Sequence, residues 1–284
     1  MSKSVYEMVT DRIINQLEQG IIPWQKPWTG IMNGAYNRVS KKSYSLLNQM
    51  ILKHDGEYAT FKQWTQLGGK IRKGEKSEII VFWKIQPVEE VAEDGLKIIK
   101  NIPLLRYFNV FHISQVDGVK ALTQEARKQL EPIQEAEKVL NQYLTREKIT
   151  LINRASDEAY YSPVKDFIQL PLMEQFYDIS EYYSTAFHEL THSTGHKARL
   201  NRLETGMKVA SFGSDDYSKE ELIAEIGSAT IMNLLGIETK KSIRNSTAYI
   251  QNWLSVLKND VKLIVSASSK AEKAVKYLLG ENIE

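Results

Sequence analysis

The stretch Phe187-His188-Glu189-Leu190-Thr191-His192-Ser193-Thr194-Gly195-His196 decides how the second half of this chain folds. It contains the pattern His-Glu-x-x-His and three of the chain's five histidines. On a helix, His188 and His192 stand four residues apart on one face, the spacing at which two imidazoles reach a single metal ion. Glu189, beside them, is then placed to act as a general base on water at that metal. Tyr182 to Phe187 extends the helical pattern upstream, and the predicted helix runs from Ser180 to Thr194. The longer pattern His-Glu-x-x-His-x-x-Gly-x-x-His matches through Gly195, but its last position is Ala198. His196 falls two residues short of it and is assigned to the rim of the site.

With no cysteine in the chain, a metal must be held by nitrogen and oxygen. Two imidazoles call for a third protein ligand and an open position. The densest carboxylate cluster on a helical pattern lies in Tyr217-Ser-Lys-Glu220-Glu221-Leu-Ile-Ala224-Glu225-Ile-Gly227. Glu221 and Glu225 are four apart and share a face. One Zn2+ per chain is expected on His188, His192 and Glu221, with Glu225 accepting the second ring N–H of a ligating histidine. The order of those two carboxylates is open from sequence alone. Tyr217 joins His196 at the rim.

Working outward, the N-terminal segment carries the apolar stripe Val5, Val9, Ile13, Leu17 and stops at Gly20, the pattern of an amphipathic helix. Pro23-Trp24-Gln25-Lys26-Pro27-Trp28 breaks it. Short helices are predicted over Tyr44 to His54 and Thr60 to Leu67, then a basic turn from Lys70 to Lys76, then a strand over Glu78 to Trp83. Residues 86–100 read as an acidic hairpin tip or a loop, and Leu104 to Ile113 as the partner strand. Beyond a helical connector at 124–145, Leu151-Ile152, Ala159 to Tyr161 and Ile168 to Leu170 read as short strands, followed by helices. The resulting class is α+β: a mixed α/β domain over 1–122, a connector over 123–150 and a metal-site domain over 151–284.

Composition bounds the rest. With 42% apolar and 25% charged residues, and Gly plus Pro at 22 of 284, the chain has the composition of a folded globular protein. No apolar run approaches the roughly 18–20 residues of a spanning helix, and an intracellular chain is expected. The formal charge of +2 hides an asymmetry, since residues 1–85 hold 13 Lys and Arg against 7 Asp and Glu. Four of the five tryptophans, Trp24, Trp28, Trp64 and Trp83, lie there too. Basic charge with aromatic side chains is the composition of a nucleic-acid surface. Lys26, Lys41, Lys42, Lys62, Lys70, Arg72, Lys73 and Lys76 are the candidate phosphate contacts, and Trp24, Trp28, Tyr36 and Trp64 the candidate stacking side chains; Trp83 is assigned to core. Single strands are favoured because stacking needs unpaired bases and no spacing for major-groove readout is present.

The chain as a whole resembles the ArdC-like antirestriction proteins of mobile elements. The resemblance rests on Tyr6-Glu-x-Val-Thr-Asp-Arg-Ile-Ile, Pro23-Trp-Gln-Lys-Pro-Trp28, Gly68-Gly-x-Ile-Arg-Lys-Gly74-Glu-Lys76, His188 to His196, Glu220 to Gly227 and Tyr249-Ile-x-x-Trp253. It implies an N-terminal single-stranded-DNA-binding domain joined to a zincin-like metallopeptidase domain. It further implies an antirestriction role in the bacterial cytoplasm, with single-stranded DNA as partner and a DNA-bound protein such as a restriction enzyme as candidate substrate. Two other readings stand beside it. One is a zinc-dependent endopeptidase for which DNA binding is only recruitment, its substrate lying along an edge strand near Ala159 to Tyr161. The other is a DNA-binding protein whose zinc is purely structural.

Overall fold

In the computed structural model, residues 3–25, 34–91, 97–122, 132–176, 178–203, 215–237 and 247–282 are described. The chain opens with helix α1, Val5–Glu18. The Ser4 hydroxyl accepts the Glu7 N–H at 3.2 Å and the Glu7 carboxylate accepts the Ser4 N–H at 2.6 Å, so each caps the other's free donor. Val9, Ile13 and Leu17 are buried as the stripe predicts. Gly20, at φ 76, ends the helix in the left-handed region.

A four-stranded sheet follows in the order β1-β2-β5-β4, with β1 Tyr36–Asn37, β2 Glu57–Ala59, β4 Glu78–Val91 and β5 Lys97–His112. β1 runs parallel to β2, while β2 is antiparallel to β5 and β5 to β4. Short helices α2, Leu46–Ile51, and α3, Phe61–Gln66, fall inside their predicted segments. A small ladder pairs β3, Lys70–Ile71, with β6, Val116–Asp117. The reading of 86–100 as a tip or loop is corrected. β4 and β5 stay paired from Glu78↔Val110 to Val91↔Lys97, and only 92–96 lie outside the described residues. Pro87 is a turn-forming residue in isolation, but β4 is the edge strand, where a residue without an N–H is tolerated.

The second part begins with helix α4, Pro132–Glu147, and a three-stranded sheet in the order β7-β9-β8: β7 Thr150–Arg154, β8 Tyr160–Ser162, β9 Phe167–Pro171. Four helices complete it among the described residues: α5 Ile179–Ser193, α6 Asp215–Leu235, α7 Thr247–Asn259 and α8 Leu263–Leu279. One core, around Tyr143, Ile168, Phe187, Leu190 and Ile231, lies within this part. The largest core does not respect sequence order. Val9, Ile13, Leu17 and Trp24 pack there with Leu222, Ile226, Trp253, Leu257 and Ile264, so α1 is seated on the last helices of the chain. No helix among the described residues is long and apolar enough to cross a membrane.

Candidate metal centre

The site is built where α5 and α6 come into close contact, and Gly227 sets how close. A Cβ at Gly227 would lie 2.6 Å from Cγ2 and 2.8 Å from Oγ1 of Thr191, so only glycine admits this approach. Thr191 Oγ1 in turn donates to the Phe187 carbonyl at 2.7 Å. The result sets the first turns of α6 against the histidine face of α5.

His188 Nε2 and His192 Nε2 lie 3.1 Å apart, their rings nearly perpendicular at 81°. Glu221 closes the group, with one carboxylate oxygen 3.4 Å from His188 Nε2 and the other 3.3 Å from His192 Nε2. One ligand atom from each residue falls within 4.8 Å of the others, and among the described residues this is the group that could hold a cation. The donor set fits a divalent metal, since two imidazoles and a carboxylate converge from two helices. Glu225 stands behind His188, one oxygen 3.9 Å from its Nδ1.

His192 is held by a residue the sequence reading did not single out. Glu220 accepts from its Nδ1 at 3.3 Å. Glu220 is itself gripped by Arg202, which donates from Nε at 3.1 Å and Nη2 at 2.7 Å, and ties to the Thr191 carbonyl and the Thr194 hydroxyl at 2.9 and 2.8 Å. Arg202 follows α5 by a turn that folds back over it. Burial opposes a charge on His192, but the hydrogen bonds it donates to Glu220 and Glu221 outweigh it and push its pKa up to about 10. Burial likewise raises Glu220 and Glu221, and their histidine partners, with Arg202 for Glu220, bring both below the usual carboxylate range. Glu189, Glu220 and Glu221 thus bring negative charge around His192.

Glu189, next to His188, is buried, and its charge acts on His192. His196 lies outside the cluster: its Nδ1 accepts the Ala198 N–H at 3.2 Å and stabilises the turn after α5. Tyr217 belongs to α6, but its side chain lies outside the described residues. A second network pins the end of α5. Arg199 donates to the Ser193 carbonyl at 2.7 Å, pairs with Asp166 and donates to the Tyr161 hydroxyl at 3.0 Å, while Tyr143 meets the Ser193 hydroxyl at 2.9 Å.

In the first part, Lys41, Lys42, Lys62, Lys70, Arg72, Lys73 and Lys76 are exposed, Arg72 in ion pairs with Glu75 and Asp117. Tyr36 is half-buried, and Lys26 and Trp28 lie outside the described residues. Two expected stacking side chains are corrected. Trp24 and Trp64 are fully buried, Trp24 edge-on to Trp253 at 6.0 Å and Trp64 donating to the Phe111 carbonyl at 2.8 Å. Trp83, assigned to core, is 48% exposed. Indoles are the largest apolar side chains, and which of them the core takes depends on partners far away in sequence, as Trp253 is from Trp24.

Comparison with known proteins gives both parts a family. Residues 3–111 match the family described as the N-terminal domain of anti-restriction factor ArdC, and residues 137–270 match that of a zincin-like metallopeptidase. Two DNA primases TraC of Escherichia coli are 32% and 34% identical over 98% of this chain, which spans 20% and 27% of their lengths. The uncharacterized protein y4eC of Sinorhizobium fredii is 30% identical, with 96% of this chain and 91% of that protein covered. Crystal structures of antirestriction protein ArdC from plasmid R388 superpose at TM-scores of 0.71 for a metal-free form and 0.72 for a Mn(II)-bound form, at 29% identity. These cover 99% and 98% of this chain, and 100% and 98% of ArdC. The Mn(II)-bound form corrects the expectation of Zn2+. Two imidazoles and a carboxylate, without a thiolate, form a donor set that does not select zinc, and the metal taken depends on geometry and supply.

Proposed function

The chain belongs to the ArdC-like antirestriction family, and from that premise we propose that it protects incoming DNA from restriction in the bacterial cytoplasm. In this reading residues 1–122 bind single-stranded DNA, 123–150 connect, and 151–284 hold a divalent cation on His188, His192 and Glu221. The observation that carries it is the convergence of those three ligand atoms within 4.8 Å, in a chain whose two parts match the two halves expected of the family.

The cation, when bound, supplies a Lewis acid able to polarise a carbonyl. The chain's own residues do the rest. Glu220 and Arg202 fix the ring of His192, and Glu225 faces the ring of His188. Glu189 takes a proton from the attacking water and returns it to the leaving amine of a protein substrate. A DNA-bound restriction enzyme is the substrate class that fits a peptidase carried to DNA by its own first part.

A second reading has a specific support: the ligands come from two helices, so a bound cation would staple α5 to α6 without chemistry. Glu189→Gln separates the two. Plasmid transformation of a restricting host by DNA carrying the wild type or the variant reads protection, and calorimetry with Mn2+ reads cation binding. Protection lost with cation retained supports hydrolysis; protection retained leaves the cation structural. A full chain that binds neither single nor double strands, at any salt and with or without chelator, overturns the DNA reading.

A further inference from the structure

Beyond Val81 the β4–β5 hairpin leaves the core. Ile79, Ile80, Val81 and Val110 are buried, whereas Phe82, Trp83, Tyr107 and Phe108 are 45%, 48%, 44% and 49% exposed. A solvated hairpin ordinarily carries polar side chains there, and large exposed apolar patches mark interaction sites. The register separates the two faces. Ile80↔Phe108, Phe82↔Arg106 and Lys84↔Leu104 are opposed pairs, so Phe82, Phe108, Lys84 and Arg106 share one face. Trp83 is on the other, where it packs edge-on to Tyr6 of α1 at 6.3 Å.

The Phe82 face has the features of a stacking surface. The rings of Phe82 and Phe108 sit 6.0 Å apart at 68°, with Tyr44 behind Phe82 at 6.4 Å. Arg106 stands opposite Phe82, and Lys84 lies two residues further along the strand of Phe82, both exposed. A partner for such a face must offer flat apolar surfaces together with negative charge at close intervals. A single strand of nucleic acid offers both; a duplex hides the base faces in its stack. A second copy of the chain would bring like charges to the same interface.

We propose that this face of the hairpin, Phe82 and Phe108 with Lys84 and Arg106, is where the chain holds single-stranded DNA. The inference rests on the DNA-binding reading above and replaces buried Trp24 and Trp64 as the stacking elements. The test uses the full chain and fluorescence anisotropy of a labelled oligo(dT) over a series of salt concentrations. Phe82→Ala with Phe108→Ala should weaken binding about 30-fold or more, at the low end of what two stacked bases contribute. Lys84→Gln with Arg106→Gln should lower the slope of log K against log salt by about 1.4, that is about 0.7 for each phosphate contact. All four side chains are exposed, so both variants should unfold thermally as the wild type does; if the aromatic pair disturbs folding, the charge pair still decides. Tight wild-type binding with unchanged affinity and slope in the variants overturns the hairpin while leaving the DNA reading intact. No wild-type binding overturns the DNA reading itself. A dimer in light scattering that the aromatic variant dissolves without loss of DNA affinity assigns the face to a second copy and overturns the inference.

Discussion

Replacing Arg202 by Met removes the guanidinium that donates to both oxygens of Glu220, to the Thr191 carbonyl and to the Thr194 hydroxyl. The side chains of Arg202 and Glu220 are 7% and 17% exposed, so the change strands a buried carboxylate. Breaking a buried pair from one side costs about 3–5 kcal/mol. At about 2–3 °C per kcal/mol for a chain of this size, the melting temperature should fall by roughly 6–15 °C. Without Arg202, Glu220 rises toward protonation and accepts less well from His192 Nδ1, and loss of such an orienting partner weakens metal affinity about 10–100-fold. The double variant R202M/E220M tells the two effects apart. Replacing both members by apolar side chains of similar size should restore most of the stability, because neither charge is then buried. It should not restore the affinity, because His192 Nδ1 still lacks its acceptor. Thermal unfolding by circular dichroism and calorimetric titration with Mn2+ read the two quantities separately. A single variant with wild-type melting and Mn2+ affinity, or a double variant that regains the affinity, would refute the reasoning.

Two further outcomes follow from the geometry. Gly227→Ala forces its new Cβ against Thr191, should cost about 1–3 kcal/mol by overpacking, and should loosen Mn2+ binding as α6 shifts, with T191A in the same chain relieving both; a neutral G227A would mean the helices can part at no cost. His112 is held neutral, its Nε2 donating to the Asp55 carbonyl at 2.9 Å and its Nδ1 accepting the Ser114 N–H at 3.2 Å, and burial lowers its pKa below 6.5. Between the folded and unfolded values the unfolded chain binds more protons, so this contribution is complete above about pH 6.5 and lost as the pH falls; urea midpoints at pH 7.5, 6.5 and 5.5 should converge for wild type and H112Q, and parallel curves would count against it.

What was legible in the sequence is what depends on neighbours close along the chain. The stripe of α1, the His-Glu-x-x-His spacing and the four-residue step from Glu221 to Glu225 are properties of one helix each, and helical periodicity transmits them without distortion. Glu220 was not legible as the partner of His192, since adjacent helix positions point about 100° apart and its role requires a second helix at the right rotation and Arg202 from a turn beyond. The hairpin was underestimated because Pro87 and the acids around it are turn-forming residues in isolation, and only the edge position of β4 makes them acceptable in a strand. The tryptophans failed for a related reason. Their number in the first third suggested a surface, but Trp24 is buried by Trp253 and only Trp83, among those described, reaches solvent to any extent.

Helix α6 connects these observations. Its first turns carry Glu220 and Glu221, and its next turn, through Leu222 and Ile226, lies in the core that also takes Val9, Ile13 and Leu17 of α1. A fragment cut near residue 122 would expose that stripe and Trp24 to water, so DNA binding is properly measured on the full chain. The shared core also gives the cation a physical route to the part proposed to bind DNA, because whatever fixes α6 against α5 also fixes the surface on which α1 rests. Such coupling is reciprocal by thermodynamic necessity. If Mn2+ tightens single-strand binding by some factor, single strands must tighten Mn2+ binding by the same factor, and Gly227→Ala, which acts between the two helices and touches neither ligand, should reduce both factors together.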